Sequence, residues 1–188
     1  MDALLLALLG CLACELGDRS QLLALALSTR YRRTGAVLAG LGVAAIANAA
    51  LSAAAGGLLS PMIPPDARLL FLAIATLFAG VAMLMPARMP DTLSGWRTGP
   101  FLTSALGLFI LGFGEASPFL IGAIAARAAD PVMAGIGGAA GIMAAGAPVV
   151  LLRGGYFAAL PLRAIRRASG LLCLAIACWL AAEALHLP

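Results

Sequence analysis

The run Glu15-Leu-Gly-Asp18-Arg19-Ser20-Gln21 interrupts an otherwise apolar stretch extending from Ala3 to Ser28. As a helix, such a stretch crosses a bilayer, because about 20 residues at 1.5 Å per residue cover a hydrocarbon core about 30 Å thick. Two carboxylates and a guanidinium at that depth are costly, and they persist where they face a cavity, a partner charge or an ion path.

Only 11% of the 188 residues are charged and 63% are hydrophobic. Soluble domains carry about 25% charged residues, so the composition is that of an integral membrane protein with no room for a separate soluble module. The net charge of +4 comes from arginine alone, with no lysine. These arginines lie mostly between apolar segments, where they set topology; no basic patch for nucleic acid is implied. Leu8-Leu-Gly-Cys11 has the look of a lipoprotein cleavage box. Asp2 stands where a basic leader is needed, however, and the apolar run continues past Cys11, so the segment is expected to be retained.

Six segments reach spanning length: about Leu4–Thr29, Ala36–Leu59, Leu69–Met85, Phe101–Ala126, Val132–Leu152 and Ala168–Leu185. Prolines 61, 64, 65, 86, 90, 100 and 131 punctuate the connections. Arg30, Arg32, Arg33, Arg88, Arg97, Arg153, Arg163, Arg166 and Arg167 fall on one side of this arrangement; Arg68 and Arg127 fall on the other. The bias predicts both termini outside the cytoplasm, and Tyr31, Trp96 and Tyr156 fall at the headgroup level of the arginine-rich side. Glu15 and Glu115 lie mid-span in the first and fourth segments. The expected fold is therefore all-α and integral to the membrane: six transmembrane helices forming two inverted three-helix repeats, residues 1–88 and 99–188, joined by a loop at 89–98. The lysine-free, alanine- and arginine-rich composition points to a GC-rich bacterial genome, hence to a multi-pass protein of the cell's inner membrane.

On one continuous helix Glu15, Asp18 and Arg19 would share a face, with Gln21 and Ser20 adding neutral oxygens beside them. Oxygen donors of this kind suit Mn²⁺, Ca²⁺ or Mg²⁺. Gly17 weakens the helix there and lets backbone carbonyls open toward an ion. The competing reading is a Glu15–Arg19 ion pair that only neutralises itself; alternatively, Arg19 holds Glu15 or Asp18 ionised. In the fourth segment, Pro118 is expected to free the Gly114 carbonyl and kink the helix beside Glu115, with Ser117 on the same turn. Glu115 could instead hydrogen-bond a facing helix in its protonated form. Cys11 and Cys14 have the spacing of a thiolate pair but lack the further ligands of a soft-metal site, so packing is the simpler role. Asn48 reads as an interhelical hydrogen-bond donor, and Gly137 and Gly141 as close-contact positions.

Glu15-Leu-Gly-Asp18-Arg19-Ser20 resembles the Glu-x-Gly-Asp-(Lys/Arg)-(Thr/Ser) signature of the membrane cation/proton exchangers typified by transmembrane protein 165. The resemblance implies a second signature in span four, with both forming one site for Mn²⁺ or Ca²⁺. Aligned on its glutamate, the second signature is degraded, with Ser117 in place of glycine and Pro118 in place of aspartate. The implied metal ligands are Glu15, Asp18, Gln21, Glu115 and Ser117, supported by Gly17, Arg19, Ser20, Gly114 and Pro118. The expected activity is exchange of a divalent cation, as substrate, for protons across the lipid bilayer, without a resident cofactor; self-association into a homodimer is left open. Two alternatives stand beside it: a small-solute exporter anchored on Arg19, and a non-transporting membrane partner with a degenerate site. An enzyme is not expected, because no Ser/His/Asp, Cys/His or HExxH constellation exists in the chain.

Overall fold

A computed structural model describes residues 2–86, 90–153, 155 and 161–186. Eight helices carry the described chain: α1 (Asp2–Glu15), α2 (Arg19–Tyr31), α3 (Thr34–Leu59), α4 (Pro65–Leu84), α5 (Gly99–Gly112), α6 (Ala116–Ala128), α7 (Pro131–Leu152) and α8 (Leu162–Ala184). No strand occurs among the described residues. Apolar side chains surround the bundle, including Leu9, Ile46, Phe78, Ile110 and Trp179, all of which are exposed. An outward apolar belt of this kind identifies a multi-pass membrane protein.

Helices α4, α7 and α8, and α3 with its 3₁₀ extension to Met62, are each long and apolar enough to cross a membrane. α5 and α6 together make a further span, bent by 65° at its break. Prolines open these helices where no backbone donor is lost: Pro65 begins α4, Pro131 begins α7 and Pro100 is the second residue of α5.

Two expectations need correction. The first segment is not one continuous helix: α1 ends at Glu15 and α2 begins at Arg19, with Gly17 between them at a φ of +73° that a side chain would resist. Glu15, Asp18 and Arg19 therefore do not share a helical face. Nor does Pro118 kink a helix interior. It lies in the first turn of α6, where its missing N–H has no intrahelical partner to lose, and the chain breaks earlier, at residues 113–115.

The helices of the two halves begin at matching intervals. Asp2 and Gly99, Arg19 and Ala116, Thr34 and Pro131, and Pro65 and Leu162 open corresponding helices, a constant separation of 97 residues. α1 and α5 both have 14 residues, and α2 and α6 both have 13. Arg32 and Ala129, again 97 apart, close α2 and α6 in the left-handed conformation. The packing exchanges accordingly: α1 lies on α7 as α5 lies on α3, while α3 meets α7 and α4 meets α8. Small residues make these approaches possible. A Cβ at Gly141 would drive into the backbone of Leu8 and Leu12 on α1, and one at Gly40 into that of Phe101 and Ala105 on α5.

The arginine-rich ends of several elements are tied together. Arg30 donates to the carbonyls of Leu93, Ser94 and Trp96, and Arg153 donates to Thr34 Oγ1 at 3.3 Å. Tyr31 is half-buried, its hydroxyl 3.1 Å from Thr103 Oγ1, so it has a packing role beyond the headgroup level. Arg163, Arg166 and Arg167 were expected in a loop, yet all three lie in the opening turns of α8. Arg88 and Tyr156 fall outside the described residues.

Candidate cation site between the broken helices

Each break leaves helix ends facing the interior, with backbone donors and acceptors that the helix does not use. At the first break the Gly17 N–H donates to Gln21 Oε1 (2.8 Å), and the Gln21 amide donates to the Ala145 carbonyl of α7 (2.7 Å). Gln21 is fully buried, so both ends of its side chain staple the loop to α7. It acts as a clamp on the break, not as a free ligand.

Glu15 closes α1 and is buried. Its Oε1 accepts from the Ser117 hydroxyl at 2.7 Å, and its Oε2 accepts from the Ser20 hydroxyl. Glu115 precedes α6, and its Oε1 accepts from the backbone N–H of Ser20 at 3.0 Å. Ser20 therefore joins the two acids, its hydroxyl on one and its amide on the other. The amide belongs to the first turn of α2, where the helix dipole presents positive charge to the Glu115 carboxylate. Oε2 of Glu115 has no hydrogen-bond donor among the described residues.

Glu15, Ser20, Asn48 and Glu115 border a cavity of about 20 Å³ walled by apolar residues such as Leu108 and Ile142. That volume admits a single water molecule or a bare ion. Of the residues expected to act together, Glu15, Glu115, Ser20 and Pro118 meet at this cavity. Ser117 stands behind Glu15 as its donor. Asp18 does not join them; its Oδ1 is paired with Arg166 Nη1 at 3.3 Å. No three carboxylate, imidazole or thiol groups converge among the described residues. Arg19 is exposed and forms no ion pair with Glu15, because the break turns it away from α1. Gly114 sits inside the second break, so its carbonyl owes nothing to Pro118. The thiols stay apart from the cavity: Cys11 is buried with its Sγ 3.9 Å from the Ser117 carbonyl.

The 97-residue correspondence also revises the second signature. Gly114 answers to Gly17, Glu115 to Asp18 and Ser117 to Ser20, whereas Glu15 answers to Gly112. The motif keeps its glycine, its second acid and its hydroxyl; the first glutamate is what is missing. Asn48 occupies the space so vacated, since a Cβ at Gly112 would meet the Asn48 amide. Asn48 also donates to the Phe109 carbonyl at 3.4 Å, the interhelical bond expected of it.

Asn48, expected only as an interhelical donor, also borders the cavity, and Arg166, expected only as a topology-setting charge, is the partner of Asp18. A lone amide in an apolar span carries no sign of what it faces. Arg166 did have a signal: it lies in register with Gly170 and Ala177, which form the buried stripe of α8.

Paired broken helices that bring acids to a small cavity at their breaks belong to membrane transporters, in which irregular backbone is tolerated only where it is buried in protein or lines such a cavity. Residues 3–91 match the family described as divalent cation/proton antiporter GDT1, and the resemblance carried by Glu15–Ser20 holds. The family is one of transporters, not enzymes. The chain is also 29% identical over 178 residues to a putative manganese exporter of Vibrio cholerae serotype O1, an alignment covering 94% of this chain and 89% of that protein. No solved structure matches.

Proposed function

We propose that the protein exchanges Mn²⁺ for protons across the inner membrane, using the Glu15–Glu115 cavity as its single site. The carrying observation is that one acid from each half borders the same cavity, with Ser20 hydrogen-bonded to both. Two carboxylates balance the charge of one divalent cation, and Asn48 offers a neutral oxygen where the second half lacks a glutamate. All the polar groups lining the cavity are oxygen or amide donors, which suits Mn²⁺ or Ca²⁺ better than a thiophilic metal. The manganese assignment follows the relative from Vibrio cholerae.

Coupling is competition for the same oxygens: a carboxylate that holds a proton cannot ligate the cation, so cation binding releases protons. Residues 1–88 and 99–188 act as inverted repeats joined by 89–98, and their rocking about the cavity alternates access. The matched helix spacing and the exchanged packing partners support this arrangement. The arginine-rich ends face the cytoplasm and both termini lie outside it. A cavity of about 20 Å³ argues against an organic substrate, since pockets for such ligands run to about 300 Å³ or more.

Purified protein in proteoliposomes with an internal pH dye tests the reading. Mn²⁺ should drive proton movement that Glu15→Gln or Glu115→Gln abolishes. Absence of Mn²⁺-driven movement in the wild type, or its persistence in both variants, would refute exchange at this site.

A further inference from the structure

The contacts around Asp18 break the relation between the halves. Glu115 accepts the Ser20 amide, so its counterpart Asp18 would be expected on the Ser117 amide at the start of α6. That bond is absent, and Asp18 is turned toward α8 instead. Arg166 holds it there. The guanidinium is buried; Nη2 donates firmly to the Ala82 carbonyl of α4 at 3.0 Å, while Nη1 makes two long contacts, 3.3 Å to Asp18 and 3.4 Å to the Leu16 carbonyl. The arginine is thus anchored on the α4–α8 pair and only loosely engaged with the first break, beyond the usual N–H···O range.

The break is also a partition. Glu15 borders the small cavity, whereas Gly17, two residues later, borders a vestibule of about 1000 Å³ lined by Leu22, Leu162 and Arg166. Asp18 sits on the loop between these spaces, and Arg166 reaches it from α8 on the vestibule side. The residue of the first half corresponding to Arg166 is Leu69, so the device exists on one side only.

We propose that Arg166 is a positioning residue, a tethered cation that keeps Asp18 out of the cation cavity, and that cavity closed to the vestibule, until an arriving divalent cation takes Asp18 from it. The third acid then completes the site with Glu15 and Glu115. This rests on the cation-exchange reading, and two measurements separate their fates. The first is Mn²⁺ binding to detergent-purified protein, read from loss of the free-ion electron paramagnetic resonance signal. If Arg166 holds Asp18 nine-tenths of the time, Arg166→Gln tightens Mn²⁺ binding about tenfold, and adding Asp18→Asn erases the gain. Arg166→Lys, which keeps charge and bulk but loses the forked donor, tightens binding less, and it serves if the glutamine variant does not fold. The second needs no metal: with Cys11, Cys173 and Cys178 changed to Ala, buried Cys14 on the turn before the loop should react with an impermeant maleimide about tenfold faster once Arg166 is Gln, and by a smaller factor once it is Lys. Binding that is unchanged, weaker, or tightened regardless of Asp18 overturns the proposal, as does unaltered labelling. A wild type that binds no Mn²⁺ sinks the exchange reading, while labelling still decides the latch.

Discussion

Gly112 provides the sharpest test of how the site is built, because the second half lacks a side chain where the first half has Glu15. A Cβ there would lie 3.0 Å from Asn48 Cγ and 3.4 Å from its Oδ1, closer than side chains ordinarily pack, with the Asn48 amide nitrogen nearer still. The atoms met are the far end of the Asn48 side chain, which can swing aside only by giving up its place at the cavity. Overpacking of this kind costs about 1–3 kcal/mol. If that strain is relieved by moving Asn48 off the cavity, Gly112→Ala should weaken Mn²⁺ binding roughly 5- to 150-fold. Thermal unfolding in detergent and Mn²⁺ titration together form the assay, with Asn48→Ala as second arm of a double-mutant cycle. The double variant should regain the stability lost by Gly112→Ala, because the clash is gone, while affinity stays low, because the amide oxygen is gone too. A Gly112→Ala protein of unchanged stability and unchanged affinity would show that Asn48 does not fill the vacated position.

Gln21→Leu should destabilise the protein by about 1–3 kcal/mol, because the side-chain hydrogen bonds that join the Gly17 loop to the Ala145 carbonyl of α7 are both lost; a thermal midpoint within error of the wild type would count against the clamp. Gly141→Leu should prevent α7 from seating against the Leu8 and Leu12 backbone, and size-exclusion chromatography should show aggregated or poorly recovered protein. Arg19→Gln should change Mn²⁺ transport far less than Glu15→Gln, by no more than about twofold if the exposed guanidinium behaves as a surface charge. A loss as complete as that of the glutamate variant would reinstate Arg19 in the site.

Much of the architecture was legible in the chain itself. Apolar length marked the segments that become helices, and their ends agree to within a few residues, except that α8 begins at Leu162, ahead of the expected Ala168; of the six, five are long and apolar enough to span among the described residues, and the broken α1–α2 segment is not. Three charged groups inside the first apolar run flagged Glu15, and a lone acid inside the fourth flagged Glu115. Gly17 signalled a weak point, and Gly137 and Gly141 signalled close helix contact. Matching the signatures on glutamate alone misled the comparison of the halves, because one acid can be superposed on another at two registers three residues apart. Helix boundaries distinguish those registers; a short degraded motif does not.

The sequence by itself determined which segments must leave water and which charges must find company there, because desolvation acts on each residue according to its own chemistry. Only the tertiary structure decided the company: Glu15 with two serines, Glu115 with the start of α2, and Asp18 with Arg166, which lies 148 positions away. These choices depend on where the breaks in α1–α2 and α5–α6 stand relative to α3, α7 and α8. That geometry is set by many small residues packing at once, and no local pattern carries it.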